Sequence, residues 1–142
     1  MLLDANLLLY AIDEDSPLHG RAVAWLTDRL TQPGRVGMPW ESLSAFLRIA
    51  TNPRASDRAL SATDAWRFVR DWIDRPNVWI PLPTERHMDV LGGLIERYQL
   101  SGNMIPDARL AALAIEHGVT LYSADTDFAR FTEIRWRNPL AA

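Results

Sequence analysis

Residues 106–131 read PDARLAALAIEHGVTLYSADTDFARF. Leu110, Ala111 and Ala114 give the segment 107–117 a helical face of small apolar side chains, which lets a helix pack close to a sheet, and His117-Gly118 supplies its stop. VTLYS, residues 119–123, then reads as a buried strand, and DTDFARF, residues 125–131, as a turn entering a short helix. A helix that docks on a sheet, followed at once by a strand and a turn, is the repeating unit of an α/β domain. Three acids, Asp107, Asp125 and Asp127, stand at its junctions.

The same alternation continues in both directions. Met1 to Asp4 reads as a short buried strand, and NLLLYAI after it as a helix ended by the acidic DEDSP stretch. Leu18, Ala22, Trp25, Leu26 and Leu30 recur at helical spacing, RVGMP at 35–39 is a second strand, and Leu43, Phe46, Leu47 and Ala50 mark a helix that Asn52-Pro53 stops. Ser61 with Asp64 three residues on is a capping signal for a helix with the apolar stripe Ala65, Trp66, Val69, Trp72 and Ile73. NVWIPL is a third strand, Met88, Leu91, Ile95 and Tyr98 form a further helical face, and EIRW is a last strand. The 142 residues, 48% of them apolar, carry no repeat or linker and predict one domain, 1–142, a βαβ-rich fold with a mostly parallel sheet.

Five acids fall at strand-to-helix junctions: Asp4 in LLDAN, Glu41 in MPWES, Asp107 in IPDAR, and Asp125 and Asp127 in SADTDF. Any one of them alone is a common N-cap or first-turn acid. Together they have a second meaning, because an open α/β sheet gathers these junctions in the crevice beyond the carboxyl ends of its strands. Five carboxylates in one place repel and raise one another's pKa, a situation that a hard divalent cation relieves. Oxygen-only ligands favour Mg2+ or Mn2+ over zinc.

Composition narrows the chemistry. Cysteine is absent, so disulfides, zinc thiolates and cysteine nucleophiles are excluded. All fifteen basic residues are Arg, a bias that a GC-rich genome produces by itself. Without Lys there is no Walker-type P-loop, and the phosphotransfer folds that pair an acid pocket with a lysine are disfavoured. The formal charge of -3 reverses outside the candidate site, where 13 acids face the 15 arginines; a mildly basic surface around an acidic centre suits a polyanion. His117 fits a helix C-terminus, and His19 and His87 lie in helical segments without ligand spacing, so structural or surface roles are expected for all three and a histidine-pair ribonuclease is disfavoured. With no membrane-length apolar run and no leader-like start, the expectation is a complete cytoplasmic chain.

LLDANLLLYA, ESLSAFLRIATNP, IPDARLAALAIEHG and LYSADTDFARF, in this order and spacing, together resemble the PIN-domain VapC toxins of bacterial toxin-antitoxin operons over essentially the whole chain. The closing RWRNPL resembles one subgroup, and Asn6 and Ser123 match the polar positions that accompany the acids. The resemblance implies a three-layer α/β/α sandwich of about five strands ordered 3-2-1-4-5, a Mg2+- or Mn2+-dependent endoribonuclease, a homodimer, and a cognate VapB-like antitoxin whose C-terminal segment lies near the active site.

On that reading Asp4, Glu41 and Asp107 hold one ion and Asp107, Asp125 and Asp127 a second, water activated by the cation attacks phosphorus, and Asn6 and Ser123 orient carboxylates or water. Arg48, two turns after Glu41, is a phosphate contact, an i,i+7 salt-bridge partner or a surface residue. The tryptophans are expected in the core, although the helix carrying Trp66 and Trp72 is apolar enough to serve as a dimer or antitoxin surface. Two rival functions share the acids: a non-catalytic PIN-like module that recognises an Arg-rich partner, and a phosphoacceptor domain, against which the missing lysine counts.

Overall fold

The computed structural model describes all 142 residues. Five short strands, β1 (Leu2–Leu3), β2 (Val36–Gly37), β3 (Val78–Trp79), β4 (Leu121–Tyr122) and β5 (Trp136–Arg137), form one sheet in the order β3-β2-β1-β4-β5. Every neighbouring pair is parallel, with Leu2 opposite both Gly37 and Leu121. The connections are helical: α1 (Ala5–Ile12), α2 (His19–Thr31), α3 (Trp40–Ala50), α4 (Ala62–Ile73), α5 (His87–Tyr98) and α6 (Met104–His117).

The central strand shows why there are three layers. Successive side chains of a strand point to opposite faces, and Leu3 joins one apolar core with Leu7, Phe46 and Val69, while Leu2 joins another with Leu94, Leu113 and Phe128. Both leucines are fully buried. The first core is covered by α1 to α4 and the second by α5 and α6, so the expected α/β/α sandwich and strand order are both present. Gly37 is needed where β2 passes β1: a Cβ there would stand 2.9 Å from the Met1 carbonyl oxygen and 2.9 Å from Pro81 Cγ.

Three local expectations are corrected. Helix α6 begins at Met104 rather than at residue 107, because Pro106 is tolerated in a first turn, where its missing N–H has no intrahelical partner to lose. The last strand is Trp136–Arg137, displaced from EIRW toward the C-terminus, since Leu121 and Tyr122 pair with those two residues. Of the six tryptophans only Trp72 is buried; Trp40 and Trp66 are exposed. The Ser61 cap is as expected, its hydroxyl accepting from Asp64 N–H at 3.1 Å.

One acid that does not stand at a strand end is buried. The Glu116 carboxylate accepts from Thr84 N–H (2.8 Å), Thr84 Oγ1 (2.7 Å) and His87 Nδ1 (2.7 Å), tying α6 to the start of α5. Burial alone would raise its pKa, but these hydrogen bonds from Thr84 and His87 hold it below the usual glutamate range. A depressed carboxylate stabilises the fold above its unfolded pKa and loses that contribution as pH falls through the folded value. Glu116→Ala should therefore cost about 2 kcal/mol at neutral pH by stranding three donors. In urea titrations its gap to wild type should narrow in acid; a gap independent of pH would show that the charge is unimportant there.

Candidate active site

Asp4 ends β1 and caps α1. Its Oδ1 accepts from Ala5 N–H at 2.7 Å, and its Oδ2 accepts from Ser123 Oγ at 2.7 Å and from Asn6 Nδ2 at 3.3 Å. Asn6 also donates to Ser123 Oγ (3.0 Å) and accepts from Ala124 N–H (3.2 Å). Ser123, fully buried, takes Asp125 N–H at 3.0 Å. The two polar residues expected beside the acids thus join the ends of β1 and β4 into one network.

Beyond β4 the chain turns sharply. Asp125 caps the 3₁₀ turn Thr126–Arg130, its Oδ1 accepting from Asp127 N–H at 2.9 Å, so one carboxylate positions the next. Asp107 arrives from the first turn of α6. Carboxylate oxygens of Asp107, Asp125 and Asp127 lie within 4.8 Å of one another.

The electrostatics follow from this convergence. Asp107 is pushed up to about 6, first by its burial and then by the negative charges of Asp125, Asp4 and Asp127, with Arg130 opposing. Asp4 is also raised, chiefly by burial and further by Asp125, against the pull of its Ser123 and Ala5 hydrogen bonds. Four of the five expected acids therefore sense one another. The donor set contains only carboxylate oxygens in a partly buried, negatively charged recess, which fits a hard divalent cation and not a soft one.

Glu41 stands apart. It occupies the first turn of α3, where Ser42 anchors the helix to β1 by donating its hydroxyl to the Leu3 carbonyl oxygen at 2.6 Å. Its carboxylate accepts from Arg109 Nη2 at 3.1 Å and is not among the three converging acids. Ser42 and Arg109 escaped the reading of the sequence. Ser42 carries a signal in hindsight, a hydroxyl beside an acid in a buried first turn; Arg109 carries none, because its partner lies 68 residues away. All three histidines are engaged structurally: His19 Nδ1 with the Tyr10 carbonyl, His87 with Glu116, and His117 Nε2 with the Leu82 carbonyl.

A parallel sheet in this order with clustered acids at its carboxyl edge is a PIN-like arrangement, and the PIN domain family model matches residues 1–134. Relatives narrow the branch. The chain is 40% identical over 137 residues to Ribonuclease VapC33 of Mycobacterium tuberculosis, covering 96% of each, and 39% identical over 140 residues to Ribonuclease VapC37 of the same species, covering 99% of this chain and 97% of the other. Among solved structures, VapBC-1 from nontypeable Haemophilus influenzae aligns with a TM-score of 0.68 at 18% identity, covering 99% of this chain and 98% of that one. Mycobacterium tuberculosis VapC20, described as a Sarcin-Ricin loop cleaving toxin, aligns with a TM-score of 0.67 at 17% identity, covering 94% and 98%. The chain belongs to the VapC branch of the PIN-domain family.

The raised acid has a consequence for stability. A carboxyl whose folded pKa lies above its unfolded value destabilises the native state as pH rises through the interval from 3.8 to about 6, and the penalty is complete above it. Asp107→Asn removes the charge and keeps the shape. In chelator at neutral pH the variant should melt a few degrees above the wild type, and the difference should vanish in acid below that interval. A variant that melts lower throughout would mean that the carboxylate is compensated within the protein itself.

Proposed function

We propose that this chain is the toxin of a type II toxin-antitoxin pair, an endoribonuclease that requires Mg2+ or Mn2+ and hydrolyses RNA phosphodiester bonds. The observation that carries the reading is the convergence of Asp107, Asp125 and Asp127 with Asp4 beside them, where burial first and the like charges next raise Asp107 to about 6. Its family relatives named ribonucleases support the choice of reaction.

The residues divide the work. Asp107, Asp125 and Asp127 would hold one cation, and Asp4 and Glu41, sharing Asp107, a second. Asn6 and Ser123 fix the orientation of Asp4, and Ser123 also holds the backbone that carries Asp125. Glu41 is held in reserve, since its place in the set depends on giving up Arg109. A bound cation would supply charge neutralisation at phosphorus and a ligated water acidic enough to serve as nucleophile near neutral pH. The three histidines, each occupied in a structural hydrogen bond, leave attack by the ribose 2′-hydroxyl without a histidine base.

Partners follow by the same route. A VapB-like antitoxin is supported by the VapBC structures among the fold neighbours. Self-association of two copies finds support in Trp66 and Phe68, which α4 leaves 43% and 38% exposed. No helix is long and apolar enough to cross a membrane, and the proposed RNA substrate supports a cytoplasmic site of action.

Purified wild type should cleave RNA in Mg2+ or Mn2+ and stop on chelation, leaving 5′-phosphate and 3′-hydroxyl ends that ligate directly to adapters. Asp4→Asn and Asp107→Asn should abolish cleavage without loss of fold by circular dichroism. Ser123→Ala should reduce it about 10- to 100-fold, as for other groups that orient metal ligands. Full activity in both aspartate variants, or cyclic-phosphate ends, would overturn the assignment.

A further inference from the structure

A groove of about 460 Å3 lies between α3 and the start of α6. Its α3 wall carries Trp40, Glu41 and Arg48; the facing wall carries Leu82, Pro106 and Arg109. Two of these residues link the groove to the candidate acids: Glu41 is one of the five, and Pro106 directly precedes Asp107 in the first turn of α6.

The lining has an uneven character. Trp40, in the first turn of α3, is 40% exposed, and Leu82 across from it is 59% exposed. Much of the Trp40 indole thus stays open to solvent beside a polar site, where it is available to a ligand. Charge is also unbalanced. Arg109 and Glu41 neutralise each other at 3.1 Å, whereas Arg48 is exposed and lies in no ion pair, so the groove keeps one free guanidinium. Trp40 and Arg48 are eight residues apart on one helix, a rise of about 12 Å, and both line the same groove.

An exposed indole and an unpaired guanidinium in one groove, with a candidate acid between them in Glu41, match the requirements of an unpaired nucleotide. Its base needs a flat apolar partner and its phosphate needs a cation. A continuous duplex cannot use the indole, because its bases are already stacked on one another. A peptide would want hydrogen-bonding edges or a deep apolar pocket, and this groove has neither a free strand edge nor a closed floor.

Resting on the nuclease reading above, we infer that the groove between α3 and α6 is a substrate subsite that selects single-stranded or looped RNA, with a base flanking the scissile bond stacked on Trp40 and the adjacent phosphate held by Arg48. Trp40 and Arg48 then set where the chain cuts, and the acids set that it cuts.

The test combines steady-state cleavage of a short unstructured oligoribonucleotide with its binding, by fluorescence anisotropy, to the Asp107→Asn background. Trp40→Ala should raise KM about tenfold, the range expected for loss of one stacked base, with the larger part of the effect in KM rather than kcat. Trp40→Phe should recover most of that loss. Arg48→Gln should weaken binding across sequences and lower the salt slope of log K by about one. Hybridising the oligonucleotide to its complement should abolish the difference between Trp40→Ala and its parent. Met88→Ala, a substitution at an exposed apolar residue of α5 outside the groove, is the control and should match wild type. Unchanged KM, affinity and salt slope in both groove variants would overturn the subsite while leaving the nuclease reading intact. A wild type that binds RNA without cleaving it would overturn the nuclease reading, and the anisotropy series would still decide the groove. Loss of antitoxin binding with RNA affinity unchanged would assign the groove to a protein partner and likewise overturn the proposal.

Discussion

The contact between Asp4 and Ser123, 119 residues apart, organises the site. It exists because β1 and β4 are parallel neighbours with Leu3 opposite Tyr122, so that the residues following each strand emerge side by side at one sheet edge. Asp4 and Ser123 are those residues. Through Ser123 Oγ the contact reaches Asp125 N–H, and through Asp125 Oδ1 it reaches Asp127 N–H. Register in the sheet, hydrogen bonding in the turn and position of the acids are therefore one constraint stated at three scales. The same strand end holds α3, because the Leu3 carbonyl accepts from Ser42.

The arrangement sets function against stability. A fold free of any task would disperse four mutually repelling carboxylates, yet here hydrogen bonds are spent on holding them together. Ser123, Asn6 and two backbone N–H groups orient Asp4 and Asp125 where solvent alone would favour separation. Rule-breaking of this kind concentrates at functional sites. The buried carboxylate at the opposite extreme, Glu116, is satisfied by three donors and has its pKa depressed rather than raised. Within one chain, the two acids shifted upward, Asp4 and Asp107, lie in the candidate site, whereas the two shifted downward, Glu116 and Glu133, already have donors of their own.

Much of this was legible in the sequence because strand-to-helix junctions announce themselves by local chemistry. Asp4 before an apolar helical run, Ser61 three residues before Asp64, and Gly118 after a small-residue helix each signal a boundary without reference to the rest of the chain. Where reading failed, the deciding partner was distant. The turn toward Arg109 taken by Glu41 depends on how α3 crosses α6, and no spacing rule contains that. The start of α6 was misjudged because Pro106 looks like a boundary and serves as first-turn filler. Trp66 sits on an apolar stripe with Val69 and Trp72, but α4 is packed along one side only, so stripe membership did not decide burial.

The central strand of the sheet is also the first stretch of the chain. Leu2 and Leu3 must find β2 on one side and β4 on the other, and β4 is not available until residue 122 has been made. Synthesis runs from the N-terminus, and domains fold as units as they emerge. Here β1 waits for β4, more than a hundred residues later. Asp4 precedes Asp107, Ser123, Asp125 and Asp127 by more than a hundred residues and is without them until they have been made. A fragment that ends before β4 lacks Ser123, Asp125 and Asp127, so it cannot present the acid cluster.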